Sequence, residues 1–339
     1  MKILIYNVNW RGDVLFSAPA IRAIKRFYPG SRITCLVTPR CRDILKSNPD
    51  VAHIISFDER RNRSLSEIWA FIRSLKKQSF DMVFLFHRSF SRALMMRLAG
   101  IPQRIGYATK RRGFLLTRAV EPPKVPVHKV DYFLGLARAC GADASDRFYR
   151  FYLESGDESR ADELLRAEGI RPDRPLVVIN PGGNWTPKRW PPGRYAELAR
   201  LFVERTGYQV VITGAPKDQA LGEEVKLGSA PGVISLCGKT SLGELGGVMR
   251  RAQLVVANDT GPMHIAVGVG APTLALFGPT RPELTGPIGP HAHVLSSRRG
   301  MDAIQVEEVF RRAQELLSVA RDQRPALRHR SGQATSDRP

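Results

Sequence analysis

Short apolar runs of strand length alternate with helical stretches along nearly the whole chain, and the alternation happens twice. In the first half Lys2–Tyr6, Ile33–Val37, His53–Phe57 and Met82–Phe86 read as buried strands. Between the first two, Val14, Ala18, Ile21, Ile24 and Tyr28 fall on one helical face, and Pro29-Gly30 stops that helix. Ser64 and Glu67 have the spacing of a capping box opening a helix through Lys77. Further helices are expected over Ser89–Leu98 and over His128–Cys140, the latter ended by Gly141. The chain then turns polar from Glu154 to Arg174, with one short helical pattern at Ala161–Leu165. Strands are expected again at Leu176–Ile179, Gln209–Thr213, Val233–Leu236, Leu254–Ala257 and Thr273–Phe277. The helices here run from Pro192 to a stop at Gly207, from a second capping box (Ser241, Glu244) to Arg251, and over Ile304–Val319.

Such alternation specifies parallel sheets covered by helices on both faces. The expected fold class is therefore α/β, with two doubly wound parallel-sheet domains. Their expected limits are 1–165 and 166–320, followed by a basic disordered tail over 321–339.

Charge narrows the partners. Lys and Arg number 52 against 32 Asp and Glu, a formal net charge of +20, which favours an anionic partner. No zinc-finger spacing or aromatic RNA-binding strand occurs, so a nucleic acid is not expected. No apolar span has transmembrane length, and the N-terminus turns polar too early for a signal peptide. The four cysteines are scattered without paired spacing, so reduced thiols and a cytoplasmic location are expected.

Ligands of doubly wound folds sit beyond the carboxyl ends of the strands, which directs attention to the loops that follow them. After the first strand, Asp13 opens a helix; it suits either a helix-start carboxylate or a general base. After Ile179, Thr186 and Lys188 lie in a Gly-, Pro- and Trp-rich loop, where a lysine can meet a phosphate or simply stay solvated. Asp218 follows the strand ending at Thr213, a usual place for a ribose-binding carboxylate. The tract Asn258-Asp259-Thr260-Gly261-Pro262-Met263-His264 ends a strand and starts a helix. Pro262 at the first helical position would put Gly261 at the N-cap, leaving free N–H donors for a phosphate. No DxD motif, no His pair at i, i+4, no GxGxxG after the first strand and no GxSxG elbow occurs.

Taken together, three tracts resemble glycosyltransferase family 9, the ADP-heptose:lipopolysaccharide heptosyltransferases. The first is Arg11-Gly12-Asp13-Val14-Leu15 with Pro19-Ala20-Ile21, and the second Asn180-Pro181-Gly182-Gly183 through Lys188-Arg189-Trp190-Pro191. The third is Asn258 to His264, continuing to Pro272-Thr273 and Phe277-Gly278-Pro279-Thr280. The resemblance spans Met1 to about Ala320. It implies a GT-B-like fold, an N-terminal acceptor domain facing a C-terminal nucleotide-sugar donor domain across a cleft. It also implies inverting, metal-independent transfer of heptose from ADP-heptose to the lipopolysaccharide inner core, with no cofactor. Asp13 then matches the catalytic base, Lys188 the lysine on the donor phosphates, and Asp259, Thr260, Gly261 and His264 the donor-binding turn. Asp218 matches a ribose-binding position only loosely, and Thr186 is close enough to Lys188 to share a phosphate. For an acidic, membrane-held acceptor of the Kdo-lipid A type, Arg60, Arg61, Arg63, Arg88, Arg92, Lys110, Arg111 and Arg112 are the candidate cations. They would also hold the enzyme at the inner face of the cytoplasmic membrane. Two alternatives stay open: a family member with another nucleotide sugar or acceptor, and a non-catalytic nucleotide- or polyanion-binding protein.

Overall fold

Strands covered on both faces must be apolar nearly throughout. The computed structural model describes residues 1–58 and 64–331, with the side chains of the last helix as far as Ser318, and the strands at the centre of its sheets meet that condition. The first unit, Met1–Glu154 with Glu283–Ile288, is built in chain order from β1 (Lys2–Tyr6), α1 (Arg11–Phe27), β2 (Arg32–Val37), α2 (Arg42–Leu45), β3 (His53–Ser56), α3 (Leu65–Gln78), β4 (Met82–Leu85), α4 (Phe90–Leu98), β5 (Gln103–Tyr107), β6 (Arg118–Val120) and α5 (Lys129–Arg138). Its six strands form one sheet in the order β3-β2-β1-β4-β5-β6, every pair parallel. β1 sits at the reversal of strand order, with Ile3 opposite Ile33 on one side and Met82 on the other. The capping box at Ser64 is present, the hydroxyl accepting from the Glu67 N–H and the Glu67 carboxylate accepting from the Ser64 N–H.

β5 and β6 were not expected. Gln103 and Arg104 open β5 with polar side chains, which hides it from an apolar pattern. The fold satisfies Arg104 directly, since its guanidinium donates to the carbonyls of Leu115 and Ile101 at 2.7 and 2.5 Å.

The second unit, Ser155–Pro282 and Gly289 onward, repeats the plan. It contains α6 (Asp157–Ala167), β7 (Leu176–Asn180), α7 (Pro192–Thr206), β8 (Gln209–Ile212), α8 (Gln219–Leu227), β9 (Ile234–Ser235), α9 (Leu242–Arg251), β10 (Leu254–Asn258), α10 (Gly261–Gly268) and β11 (Thr273–Phe277), then, after the short α11 (Pro282–Thr285), of which only Pro282 belongs to this unit, β12 (Ala292–Ser296) and α12 (Val306–Ser331). The sheet order is β12-β11-β10-β7-β8-β9, again all parallel. Read from its first strand, this is the topology of the first unit.

The units part at Glu154/Ser155, ahead of the 165/166 limit read from the sequence. α6 belongs with the second unit because it packs on α9. The approach is close: a Cβ on Gly247 would lie 2.7 Å from the Cβ of Ala161. β12 and α8 are further additions to the expected elements. α12 continues to Ser331, beyond the helix end expected at Val319 and into the stretch expected to be disordered. Its Ala, Arg, Gln and Leu content is favourable to helix, set against the cost of Pro325 within it.

Candidate functional site

A sheet that reverses its strand order opens a crevice where the loops of the two central strands diverge. Those loops follow β1 and β4 in the first unit, and β7 and β10 in the second. They carry most of the residues singled out from the sequence.

In the first unit, buried Asn7 anchors the loop after β1. Its Nδ2 donates to Ser17 Oγ at 2.8 Å and its Oδ1 accepts from the Val8 N–H. α1 starts at Arg11 with Trp10 as N-cap, so Asp13 lies in the first turn rather than at the cap. The positive end of the helix dipole favours its charge there. Lys129 Nζ donates to both oxygens of the Asp13 carboxylate, at 3.0 and 3.1 Å. Lys129 is the first residue of α5, whose N-cap His128 is pinned on both ring nitrogens. Nδ1 accepts from the Val130 N–H at 3.1 Å, so Nε2 carries the proton and donates to the Gly286 carbonyl at 3.0 Å. Burial lowers the His128 pKa, in keeping with that neutral tautomer.

Asp13 lines a pocket of about 620 Å³ with Trp10, His87, Arg88, Lys110 and Lys129. His87 Nδ1 accepts from the Ser89 N–H, which leaves Nε2–H as a neutral donor. Burial, then the charges of Arg92, Arg112, Lys110 and Arg88, push its pKa down to about 3. Lys110 and Arg111 both adopt left-handed backbone, with φ of 51° and 57°. Such strain persists only where the surroundings over-determine it. Here Arg112 does so. Its side chain is fully buried, donating from Nε to the Tyr107 carbonyl at 2.9 Å and from Nη1 to the His87 carbonyl at 2.5 Å. It ties the loop after β5 to the loop after β4. Arg92 is buried too, 4.8 Å from the Tyr6 ring centre and bonded to Asn9 Oδ1 at 3.2 Å.

The cations read as one acceptor-binding group therefore separate. Arg88 and Lys110 line the pocket, and Arg111 is exposed beside it. Arg92 and Arg112 are buried and do not line it; both guanidinium groups donate to protein acceptors instead. Arg60, Arg61 and Arg63 lie outside the described residues.

In the second unit the organising residue is Asn258, fully buried at the end of β10. Its Oδ1 accepts from the Trp190 N–H at 3.1 Å and the Tyr195 hydroxyl at 2.7 Å, and its Nδ2 donates to the Pro181 carbonyl at 2.9 Å. One amide thus fixes the long loop after β7 against β10. The consequence is that Lys188 Nζ reaches Asp259 Oδ2 at 2.6 Å, and Thr280 Oγ1 donates to the same oxygen at 2.8 Å. Thr260, in extended backbone, is the N-cap of α10; Gly261 and Pro262 are its first two residues. That shifts the expected cap by one position. The N–H groups of Gly261 and Met263 have no acceptor within the helix, and Pro262 has no N–H. His264 is buried on α10.

Asp218 is also buried, and its Oδ2 accepts from the Ala215 N–H at 3.1 Å, closing its own turn. A Cβ on Gly182 would stand 2.7 Å from that oxygen, so glycine is what admits the carboxylate beside the β7 loop. Thr186 is exposed in a single 3-10 turn, Thr186–Lys188. It lines a separate pocket of about 690 Å³ with Arg189 and Trp190, which the Lys188–Asp259 pair does not line.

Four residues of these sites were missed in the sequence: Lys129, His87, Asn258 and Thr280. Asn258 and Thr280 stand inside tracts that carried the resemblance, so a signal existed. Lys129 lies 116 positions from Asp13, and no local pattern joins them.

Residues 68–312 match glycosyltransferase family 9 (heptosyltransferase). Lipopolysaccharide heptosyltransferase 2 of Salmonella typhimurium is 30% identical over 307 residues, covering 87% of this chain and 88% of the relative. Among solved structures, the E. coli ADP-heptose lps heptosyltransferase II superposes with a TM-score of 0.82 at 27% identity, over 94% of this chain and 98% of that one. The family 9 glycosyl transferase of Veillonella parvula gives 0.86 at 25% identity, over 93% and 97%. A pair of parallel doubly wound units with these neighbours places the molecule in the GT-B-like class of glycosyltransferases. Within that class, the chain belongs to glycosyltransferase family 9 and is a heptosyltransferase-type enzyme.

Proposed function

We propose that this enzyme transfers heptose from ADP-heptose to the inner core of lipopolysaccharide, inverting the anomeric centre in a single displacement without a metal. The observation that carries the reading is the division of chemistry between the two switch points. A carboxylate stands in a basic pocket of the first unit, and a Lys–Asp–Thr cluster stands beside a helix N-terminus in the second. The first suits an anionic sugar acceptor and the second a nucleoside diphosphate donor. The names of the relatives point to the same two substrates.

Asp13 is the proposed general base. An ionised carboxylate has about four lone-pair sites. Lys129 uses one on each oxygen, which leaves room for the acceptor hydroxyl to donate. Lys129 fixes the orientation of the carboxylate, and the base takes the acceptor proton as the new glycosidic bond forms. Arg88 and Lys110 are assigned to the acceptor's acidic groups.

As the bond to the donor breaks, negative charge grows on the leaving diphosphate. The free N–H groups of Gly261 and Met263, with the dipole of α10, are assigned to that charge. Lys188 has three donors and spends one on Asp259, so two remain for phosphate oxygens. Asp259 and Thr280 aim the ammonium, while His264, Asp218 and Thr186 remain candidates for the sugar and ribose sides. The acceptor is lipid-held, which puts the enzyme at the inner face of the cytoplasmic membrane.

The test is turnover of ADP-heptose with a panel of truncated lipopolysaccharide acceptors, with and without EDTA, and with UDP- and GDP-sugars as controls. Transfer specific to ADP-heptose and indifferent to EDTA is expected. Inhibition by EDTA reversed by magnesium would overturn the metal-free reading, and preference for another sugar nucleotide would overturn the donor.

A further inference from the structure

Scattered apolar side chains on a surface are ordinary, whereas contiguous ones mark contacts. On α4, Phe90, Leu94 and Leu98 follow one another at i, i+4 and i+8, and they are 40%, 36% and 42% exposed. That spacing puts them in one row along the outer face of the helix. The opposite face, with Ala93 and Met96, is buried in the core. Phe114, 69% exposed on the turn after β5, extends the row: its ring centre lies 6.0 Å from that of Phe90. Arg97 Nη1 donates to the Phe114 carbonyl at 3.4 Å and binds this turn to α4.

Along the segment that carries this row the charge has one sign. Residues 82–120 contain eight Arg and Lys and no Asp or Glu. Of the eight, Arg88, Arg97, Lys110, Arg111 and Arg118 are exposed. A row of Phe and Leu flanked by cations, with no carboxylate in the whole segment, has the composition of a surface helix seated in an anionic lipid interface. A protein partner would bring its own carboxylates to one or two of these cations. A lipid surface presents a continuous sheet of negative charge with apolar chains beneath, and it matches both features together.

We infer that the α4 face with the Phe114 turn is a docking surface for anionic lipid bilayer. The two loops that bring Arg88 and Lys110 to the pocket run directly into it, Arg88 into α4 and Lys110 into the Phe114 turn. Seating this face on the membrane therefore holds the mouth of the first-unit pocket close to lipid headgroups. The inference rests on the membrane placement proposed above and shares Arg88 and Lys110 with the acceptor assignment; its test is separate, since lipid binding requires no turnover.

The experiment is co-sedimentation of the full chain with phosphatidylethanolamine/phosphatidylglycerol vesicles and with phosphatidylcholine vesicles. Binding to the anionic vesicles, weakened by added salt and weak on phosphatidylcholine, is expected. The variant Phe90→Ser/Leu94→Ser/Phe114→Ser should lower the bound fraction about tenfold, in keeping with the loss of three inserted side chains. Phe114→Ser alone, at the most exposed position, should give a smaller drop with an unchanged melting temperature, so that a misfolded triple variant does not decide the matter. Transfer to a soluble truncated acceptor should be unaltered in that variant. Equal sedimentation of wild type and both variants would overturn the inference. So would wild-type protein that ignores anionic vesicles, or sedimentation velocity showing a wild-type dimer that the variants dissolve, since a second copy would then cover the face.

Discussion

Asp13 and Gly261 are where single atoms decide the outcome. Asp13→Asn keeps the shape of the first turn of α1 and one of the two hydrogen bonds from Lys129, but removes the base. Transfer should fall by about 10²–10⁴-fold while ADP affinity is preserved. Steady-state rates with calorimetric ADP titration check this, and wild-type turnover in the variant would exclude Asp13 as base. At Gly261 the structure makes the experiment clean, because a Cβ there would meet no atom within 4 Å. Nor does its backbone lie in the left-handed region. Gly261→Ala and Gly261→Val should therefore fold and melt like wild type. If a diphosphate approaches the α10 N-terminus, the donor KM should rise with the size of the side chain, Val above Ala. A KM indifferent to both substitutions would remove this helix end from the donor site.

Elements here are positioned by close approaches that leave no room for change. α8 lies against the end of β9 through Gly222. A Cβ on that residue would stand 2.5 Å from Cys237 Sγ and 2.8 Å from Ser235 Oγ. Gly222→Ala should cost about 1–3 kcal/mol, the usual range for overpacking, despite the better helix propensity of alanine. Chemical denaturation measures it, and a stabilised variant would mean that β9 shifts aside without penalty. Cys237, buried in the same contact, has its thiol pushed up to about 11 and stays a neutral packing group. The two capping boxes act at the same scale. Ser241 and Glu244 satisfy each other's backbone N–H groups at the start of α9, the helix on which α6 packs.

For the whole molecule, pH couples to stability through histidines that the fold partly or wholly removes from water. His87 titrates at about 3 in the fold, against about 6.5 when unfolded. Below 6.5 the unfolded chain therefore binds the proton that folded His87 refuses, and stability falls as pH falls. His128 and His293 shift in the same direction, each mainly by burial. Between pH 7 and about 4.5 most carboxylates are still ionised, so the melting temperature should decline there through the histidines. His87→Asn should flatten that decline. An unchanged slope in the variant would mean that His87 is protonated in the fold.

How much of this was legible in the chain itself depends on whether the information is local. Alternating apolar runs and amphipathic helices were enough for two doubly wound parallel sheets, because a strand covered on both faces must be apolar along its length. The capping boxes at Ser64 and Ser241 were readable for the same reason: all their partners lie within one helical turn. β5 and β12 were hidden, since they carry Gln, Arg or His that the fold tolerates near a sheet edge, where one flank stays open. Arg112 and Arg92 looked like surface cations and are internal ties, because composition records a charge but not which carbonyls surround it. The pairing of Asp13 with Lys129, and of Lys188 with Asp259 and Thr280, belongs to tertiary structure alone. It follows from strand order, which brings the ends of strands far apart in sequence to one edge of a sheet, and no periodicity in the chain encodes that order.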